Sequence, residues 1–216
     1  MKTIDISAWS RKKHFELYQG FDYPHFNLTA AVDITHIQPV IKEMKLSVTV
    51  TFTYLFARIA NELAEFRWRI RGKSVVEHEV VHPSTSILTP GDLFSFCTIP
   101  FDYSFDVFSA RAAEKIDEVR LHPTLEDEPG LDDLLFMSSI PWISFTQLTH
   151  PVHMNPVDSV PRISWGKYFE DAGRIKMPLS VQVHHALMDG LHVGRYFIRV
   201  QEYLDHPARI FSEEKL

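Results

Sequence analysis

His184-His185-Ala186-Leu187-Met188-Asp189-Gly190 is the segment whose residue types and spacing point most directly to chemistry. A neutral imidazole can take and return a proton near neutral pH, which few other side chains do. The residues before it, Leu179 to Val183, alternate apolar and polar as a strand does. Leu179, Val181, Val183 and His185 then share one face, and Ser180, Gln182 and His184 the other. The second histidine is directed to the apolar side, where low polarity keeps an imidazole neutral and basic. Asp189-Gly190 turns the chain out of the strand into a helix. An imidazole at a strand end beside such a turn can present one nitrogen to a pocket. Three readings stay open on spacing alone: a satisfied core histidine, a general base at His185, and a metal site through His184, His185, Asp189 and His192. Adjacent strand residues face opposite ways, so His184 and His185 do not readily share one ion. His150 and His153 lie in a proline-rich stretch and read as solvated. Nothing marks a nucleophile elbow.

The elements that must position this segment mix helix and strand. A short helix is predicted from Ser10, a fair N-cap residue, to about Tyr18. Residues 26–34 read as a strand. Residues 48–66 are long and apolar, and their polar members Thr51, Arg58, Glu62 and Glu65 fall seven, four and three apart. That spacing predicts one narrow wet stripe on a mostly buried helix. Strands are predicted at Val75–Val81, Leu93–Ile99, Ser138–Thr146 and Leu179–His184, and helices at Asp106–Leu121, with Ile116 and Val119 inward, and Leu191–Leu204. Residues 122–133, acidic and marked by proline and glycine, read as a surface loop. Strands and helices intersperse without βαβ periodicity, so the fold class is α+β, one mixed sheet with helices packed on it.

The chain has 216 residues, 45% of them hydrophobic, which suits one large domain over 1–216 with a real core. The net charge of -6 shows no basic excess, so a nucleic-acid partner is not expected. The single cysteine, Cys97, excludes an internal disulfide framework and reads as a small core residue. There is no apolar leader and no apolar run long enough to span a membrane, so the expectation is a soluble cytoplasmic protein. Histidine is abundant, at 12 residues.

Several segments in order resemble the chloramphenicol acetyltransferase family. His184-His185-Ala186-Leu187-Met188-Asp189-Gly190 matches its HHxxxDG signature, and Ser180 to Ala186 and His192-Val193 extend the match. Trp9-Ser10-Arg11-Lys12-Lys13-His14-Phe15-Glu16-Leu17-Tyr18 resembles the family opening W-x-R-x-x-H-F-E-F-Y. Leu28-Thr29 and Val32-Asp33-Ile34-Thr35 resemble its next strand, and Ser138-Ser139-Ile140-Pro141-Trp142 its S-x-x-P-W segment. Dihydrolipoyl acyltransferases and peptide-synthetase condensation domains share versions of HHxxxDG, so the four segments together carry the resemblance. The absence of a lipoyl domain or Ala/Pro-rich linker before residue 1 also disfavours a ketoacid dehydrogenase core.

The resemblance implies a two-layer α+β sandwich and a homotrimer with active sites at subunit interfaces. It implies acetyl-CoA as co-substrate, no bound cofactor, no metal, and chloramphenicol as acceptor. His185 takes the role of general base and Ser138 that of oxyanion donor, with no acyl-enzyme. Asp189 and Arg11 are implied to pair and support the site. Tyr18, Phe26, Phe136 and Ser164 fall at acceptor-binding positions, and Lys167 and Tyr168 at CoA-binding ones. There are departures. Phe136 stands where the family has asparagine, and Pro24-His25 replace a Cys-Gly pair. Ser47 stands where a lysine often approaches CoA, with Lys45 nearby. Pro90-Gly91-Asp92-Leu93 replace a threonine-bearing stretch. These leave acyl transfer intact and unsettle the acceptor. The rival expectations are the same transfer to a different hydroxylated small molecule, and a catalytically silent ligand-binding trimer.

Overall fold

A computed structural model describes residues 1–125 and 130–212. In chain order the elements are β1 (Lys2–Ile4), α1 (Lys12–Tyr18), β2 (His25–Asp33), α2 (Ile37–Glu43), α3 (Val48–Glu62), β3 (Trp68–Arg71), β4 (Ser74–Glu77) and β5 (His82–Thr89). They continue with β6 (Leu93–Thr98), α4 (Phe105–Leu121), β7 (Leu134–Ile140), β8 (Arg162–Gly166), β9 (Phe169–Asp171), β10 (Arg174–His184) and α5 (Gly190–Asp205). The main sheet has the order β2-β10-β8-β7-β5-β6, with β9 also on β10, and β1-β4-β3 form a second small sheet. β7 runs parallel to both β5 and β8, and the other main-sheet pairs are antiparallel, so the sheet is mixed. Among the described residues no helix is long and apolar enough to cross a membrane.

Period-two alternation gives the main sheet two unlike faces. Leu179, Val181 and Val183 of β10, Ile163 and Trp165 of β8 and Met137 of β7 are buried in one apolar core. Phe52, Phe56, Phe108, Tyr196 and Val200 from α3, α4 and α5 complete that core. Cys97 is buried with them, and burial pushes its thiol up to about 11, so it is an unreactive core residue at neutral pH. The other face carries polar rows straight across the strands. Thr98, Ser84, Phe136, Arg162, Gln182 and Asn27 stand opposite one another in turn. The next row holds Ser138, Ser164, Ser180 and Thr29. Together, helices on one face and a polar second face make the two-layer α+β sandwich.

Several elements differ from the sequence reading. The first helix begins at Lys12 with Arg11, not Ser10, in the N-cap position, and no side chain caps it. The strand expected at 138–146 is displaced: β7 starts at Leu134 and stops at Ile140, before Pro141, which has no N–H to give a ladder. The strand expected over 75–81 is only Ser74–Glu77. Part of the expected loop 122–133, residues 126–129, lies outside the described residues.

The stripe on α3 is not wet. Thr51 and Arg58 are fully buried. The Arg58 guanidinium donates to the carbonyls of Arg209, Ile210 and Ser212 and pairs with Glu62 at 3.4 Å. Tyr203 donates to the same Glu62 at 2.6 Å. The polar spacing marks a face turned to the C-terminal segment, which supplies the partners that buried charges require.

Candidate active site

The site is built by three chain segments that meet at the end of β10. His185 is the first residue past that strand, and its N–H donates to the Pro24 carbonyl at 2.7 Å. Its ring stacks on Tyr18 of α1, with centroids 4.0 Å apart and planes 9° from parallel, and meets Phe26 of β2 at 4.5 Å. The ring is half-buried, and its Nδ1 is buried with no partner. Two aromatic walls thus fix the imidazole and shield it from water on two sides.

The loop behind the ring is tied to the N-terminal helix. Arg11 donates to the Asp189 carboxylate at 2.8 Å and to the His185 carbonyl at 3.3 Å. Burial alone would raise the Asp189 carboxyl. Arg11, His192 and the Leu191 N–H outweigh that and hold it at about 2. Asp189 also caps α5 by accepting from the Leu191 N–H at 3.0 Å. His192, three residues on, lies 2.8 Å from the Asp189 carboxylate and 3.6 Å from Glu65. The sequence marks His192 as a possible metal ligand and as part of the family match, but not as a partner of Asp189. Among the described residues no group of three or more His, Cys, Asp or Glu side chains converges as a metal site.

His184 faces the opposite way. It is buried, accepts from the Ala186 N–H through Nδ1 at 3.2 Å, and meets His25 edge-on at 4.8 Å. Burial, with His25 and His185 beside it, pushes its pKa down to about 3. The His25 ring contacts the Asp158 carbonyl through Nε2 at 2.9 Å. The Pro24-His25 departure therefore has two uses: Pro24 holds the His185 backbone, and His25 packs against His184.

Ser138 stands in a different group. It lies on the polar face and lines a cleft of about 1620 Å³ with Phe136, Ser84, Ser86, His150 and Arg162. The Arg162 guanidinium lies over the Phe136 ring, 5.2 Å from its centroid, and pairs with Asp158. Asp92 and Leu93, in the departing turn, line the same cleft, as does Ser47, whose hydroxyl also caps α3. Trp142 reaches its rim, 65% exposed.

The expected acceptor residues divide between the two groups. Phe136 lines the cleft, Tyr18 and Phe26 hold the His185 ring, and Ser164 is buried beneath His150, 2.7 Å from its Nε2. Ser138 stands in one row with Ser164 of β8 and Ser180 of β10, and His185 lies five residues beyond Ser180, off the cleft, so one chain does not bring it together with Ser138. Tyr168 borders a smaller cavity of about 370 Å³ with Lys42 and Lys45, and Lys167 is exposed next to it. His150, read from the sequence as solvated, is instead anchored in the cleft. No local pattern could have shown this, because its partners Ser164 and Gln182 are distant in sequence.

A mixed sheet with helices on one face, a histidine clamped at a strand end and a serine on the other face form a two-layer α+β fold. The chloramphenicol acetyltransferase family profile matches residues 1–201. A chloramphenicol acetyltransferase from Proteus mirabilis is 31% identical over 214 residues, which cover 96% of each chain. Another from Bacillus pumilus is 32% identical over 207 residues, covering 95% of this chain and 94% of that one. A solved chloramphenicol acetyltransferase superposes with a TM-score of 0.83 at 26% identity, over 94% of this chain and 99% of that one. The chain belongs to the chloramphenicol acetyltransferase family and is an acetyl-transferring acyltransferase.

Proposed function

We propose that this chain transfers the acetyl group of acetyl-CoA to a hydroxyl of chloramphenicol, with His185 as general base and no acyl-enzyme. The observation that carries the assignment is the His185 ring, stacked on Tyr18 at 4.0 Å and fixed through its backbone by Pro24 and Arg11. With Nδ1 closed off, Nε2 is the nitrogen left to meet a reactant. It takes the hydroxyl proton as the acceptor oxygen forms a bond to the thioester carbonyl carbon. Ser138 donates to the resulting oxyanion. The carbon–sulfur bond then breaks, and the thiolate leaves with the proton held by the imidazolium. A positioned base contributes about 10²–10⁴-fold, and holding both substrates together supplies much of the remainder.

Residues 1–216 act in this reading as one unit of a cytoplasmic homotrimer. The His185 group of one subunit faces the Ser138 cleft of its neighbour, because the two groups do not meet within a chain. Lys167 and Tyr168 then border the CoA path, and Arg11 and Asp189 hold the base loop. A second acceptor reading, another hydroxylated small molecule, is favoured by the Phe136, Arg162 and His150 lining of the cleft.

The deciding experiment measures free thiol released from acetyl-CoA with chloramphenicol and a panel of hydroxylated compounds. His185→Ala should lose transfer by at least about 10²-fold while its melting curve and assembly stay intact. Turnover retained in that variant removes the base assignment. Ligand binding without thiol release in the unsubstituted protein supports the silent binding trimer instead.

A further inference from the structure

His150 is held more tightly than a loop residue needs to be. Its N–H donates to Gln182 Oε1 at 2.7 Å, and its carbonyl accepts from Gln182 Nε2 at 3.1 Å. Gln182 is itself 1% exposed, so both contacts come from a fixed side chain. At the other end, the ring Nε2 lies 2.7 Å from Ser164 Oγ, also 1% exposed. Backbone and ring are thus pinned from two adjacent strands, β10 and β8. The ring lines the large cleft, and its Nδ1 is neither buried nor hydrogen-bonded among the described residues. Burial, with Arg162 nearby, pushes the His150 pKa down, so the imidazole is neutral at pH 7. Arg162, in the same cleft, is held by Asp158 and the Val160 carbonyl.

The position matters as much as the clamp. Ser164 stands directly opposite Ser138 on the neighbouring strand, about 4.8 Å away in a sheet. His150 therefore offers one free nitrogen beside the serine proposed to meet the reacting oxygen. Either tautomer leaves a directed hydrogen-bonding group there: a donor if Ser164 donates to Nε2, an acceptor if it accepts. A rigid polar group at a fixed place in the cleft is how sites select ligands that can satisfy it.

We propose that His150 is a specificity-determining residue, whose Nδ1 binds a second hydroxyl on the acceptor, close to the hydroxyl that is acetylated. The inference rests on the acetyl-transfer reading and extends it to the chemical class of the acceptor. An acceptor lacking the second polar group leaves Nδ1 dry and unpaired, and is rejected.

The test compares thiol release with chloramphenicol and with 1-deoxychloramphenicol, which keeps the primary hydroxyl and lacks the secondary one. The unsubstituted protein should prefer chloramphenicol about tenfold in kcat/KM, roughly what one neutral hydrogen bond provides. His150→Leu should bring the ratio to within about twofold of one, the loss falling on the acceptor KM. Two further variants separate recognition from support. His150→Asn keeps a group near the Nδ1 position and gives up Ser164, while His150→Gln does the reverse. The Asn variant should retain more discrimination than the Gln variant, at matched melting temperatures. A ratio near one in the unsubstituted protein, or a ratio unmoved by His150→Leu, overturns the proposal while leaving acetyl transfer standing. No thiol release with either acceptor removes the transfer reading itself, and this inference with it.

Discussion

His184 is 2% exposed, while the next ring along the chain is half-open between Tyr18 and Phe26. The difference has a measurable consequence in acid. Below pH 6.5 the unfolded chain binds a proton at position 184, and the folded chain does not until about pH 3. Acid therefore favours unfolding across that window, by up to about 1.4 kcal/mol per pH unit. Burial pushes His25, His82 and His150 down as well, so they act in the same direction. The melting temperature should fall steadily from pH 7 to pH 5, and His184→Asn should make that slope shallower. An unchanged slope in the variant removes His184 as a contributor. Ser138 is tested differently. If its hydroxyl meets the oxyanion, Ser138→Ala should lower kcat by about 10²–10³-fold, with little change in KM for either substrate. A loss confined to KM places the hydroxyl on a ground-state contact instead.

At the scale of elements, the site depends on α1 reaching the turn between β10 and α5. Arg11 is the tie, 8% exposed, joined to the Asp189 carboxylate and to the His185 carbonyl. Removing one partner of a largely buried pair leaves the other charge uncompensated, a loss of about 3–5 kcal/mol when burial is complete. Asp189 keeps 31% side-chain exposure, so Arg11→Ala should cost somewhat less and lower transfer as well. Differential scanning calorimetry beside the thiol assay checks both. Activity lost without any change in melting separates Arg11 from the fold. This tie was legible in the sequence only through a resemblance, since 178 positions separate the two residues. The strand ending at His184 was legible from alternation alone, because period two survives wherever a sheet has unlike faces. The α3 stripe misled for a related reason. Spacing shows which helix face is polar, not whether water or a C-terminal carbonyl lies against it. His150 lay beyond reach altogether, its burial set by Gln182 and Ser164 arriving on two other strands.

At the scale of the whole molecule, the separation of His185 from the Ser138 cleft is the feature an isolated chain does not reconcile with acyl transfer. In the proposed reaction a base reaches the acceptor oxygen and an oxyanion donor the same tetrahedral carbon. A heterologous, head-to-tail contact that closes into a ring brings the two groups together once per interface, three times in a trimer. Exposed apolar side chains lie beside both groups: Leu17, Phe21 and Tyr23 near the His185 loop, and Trp142 at the cleft rim. Subunit mixing tests the arrangement without a structure of the assembly. His185→Ala and Ser138→Ala trimers should each be nearly inactive. After the two are unfolded and refolded together in equal amounts, a site is whole where a Ser138→Ala subunit lends His185 to the cleft of a His185→Ala neighbour. Random assembly makes about a quarter of sites whole, so about a quarter of the unsubstituted activity should return. Activity that stays at the level of the separate variants, with mixed trimers demonstrably formed, places His185 and Ser138 in the same subunit's site and overturns the shared interface.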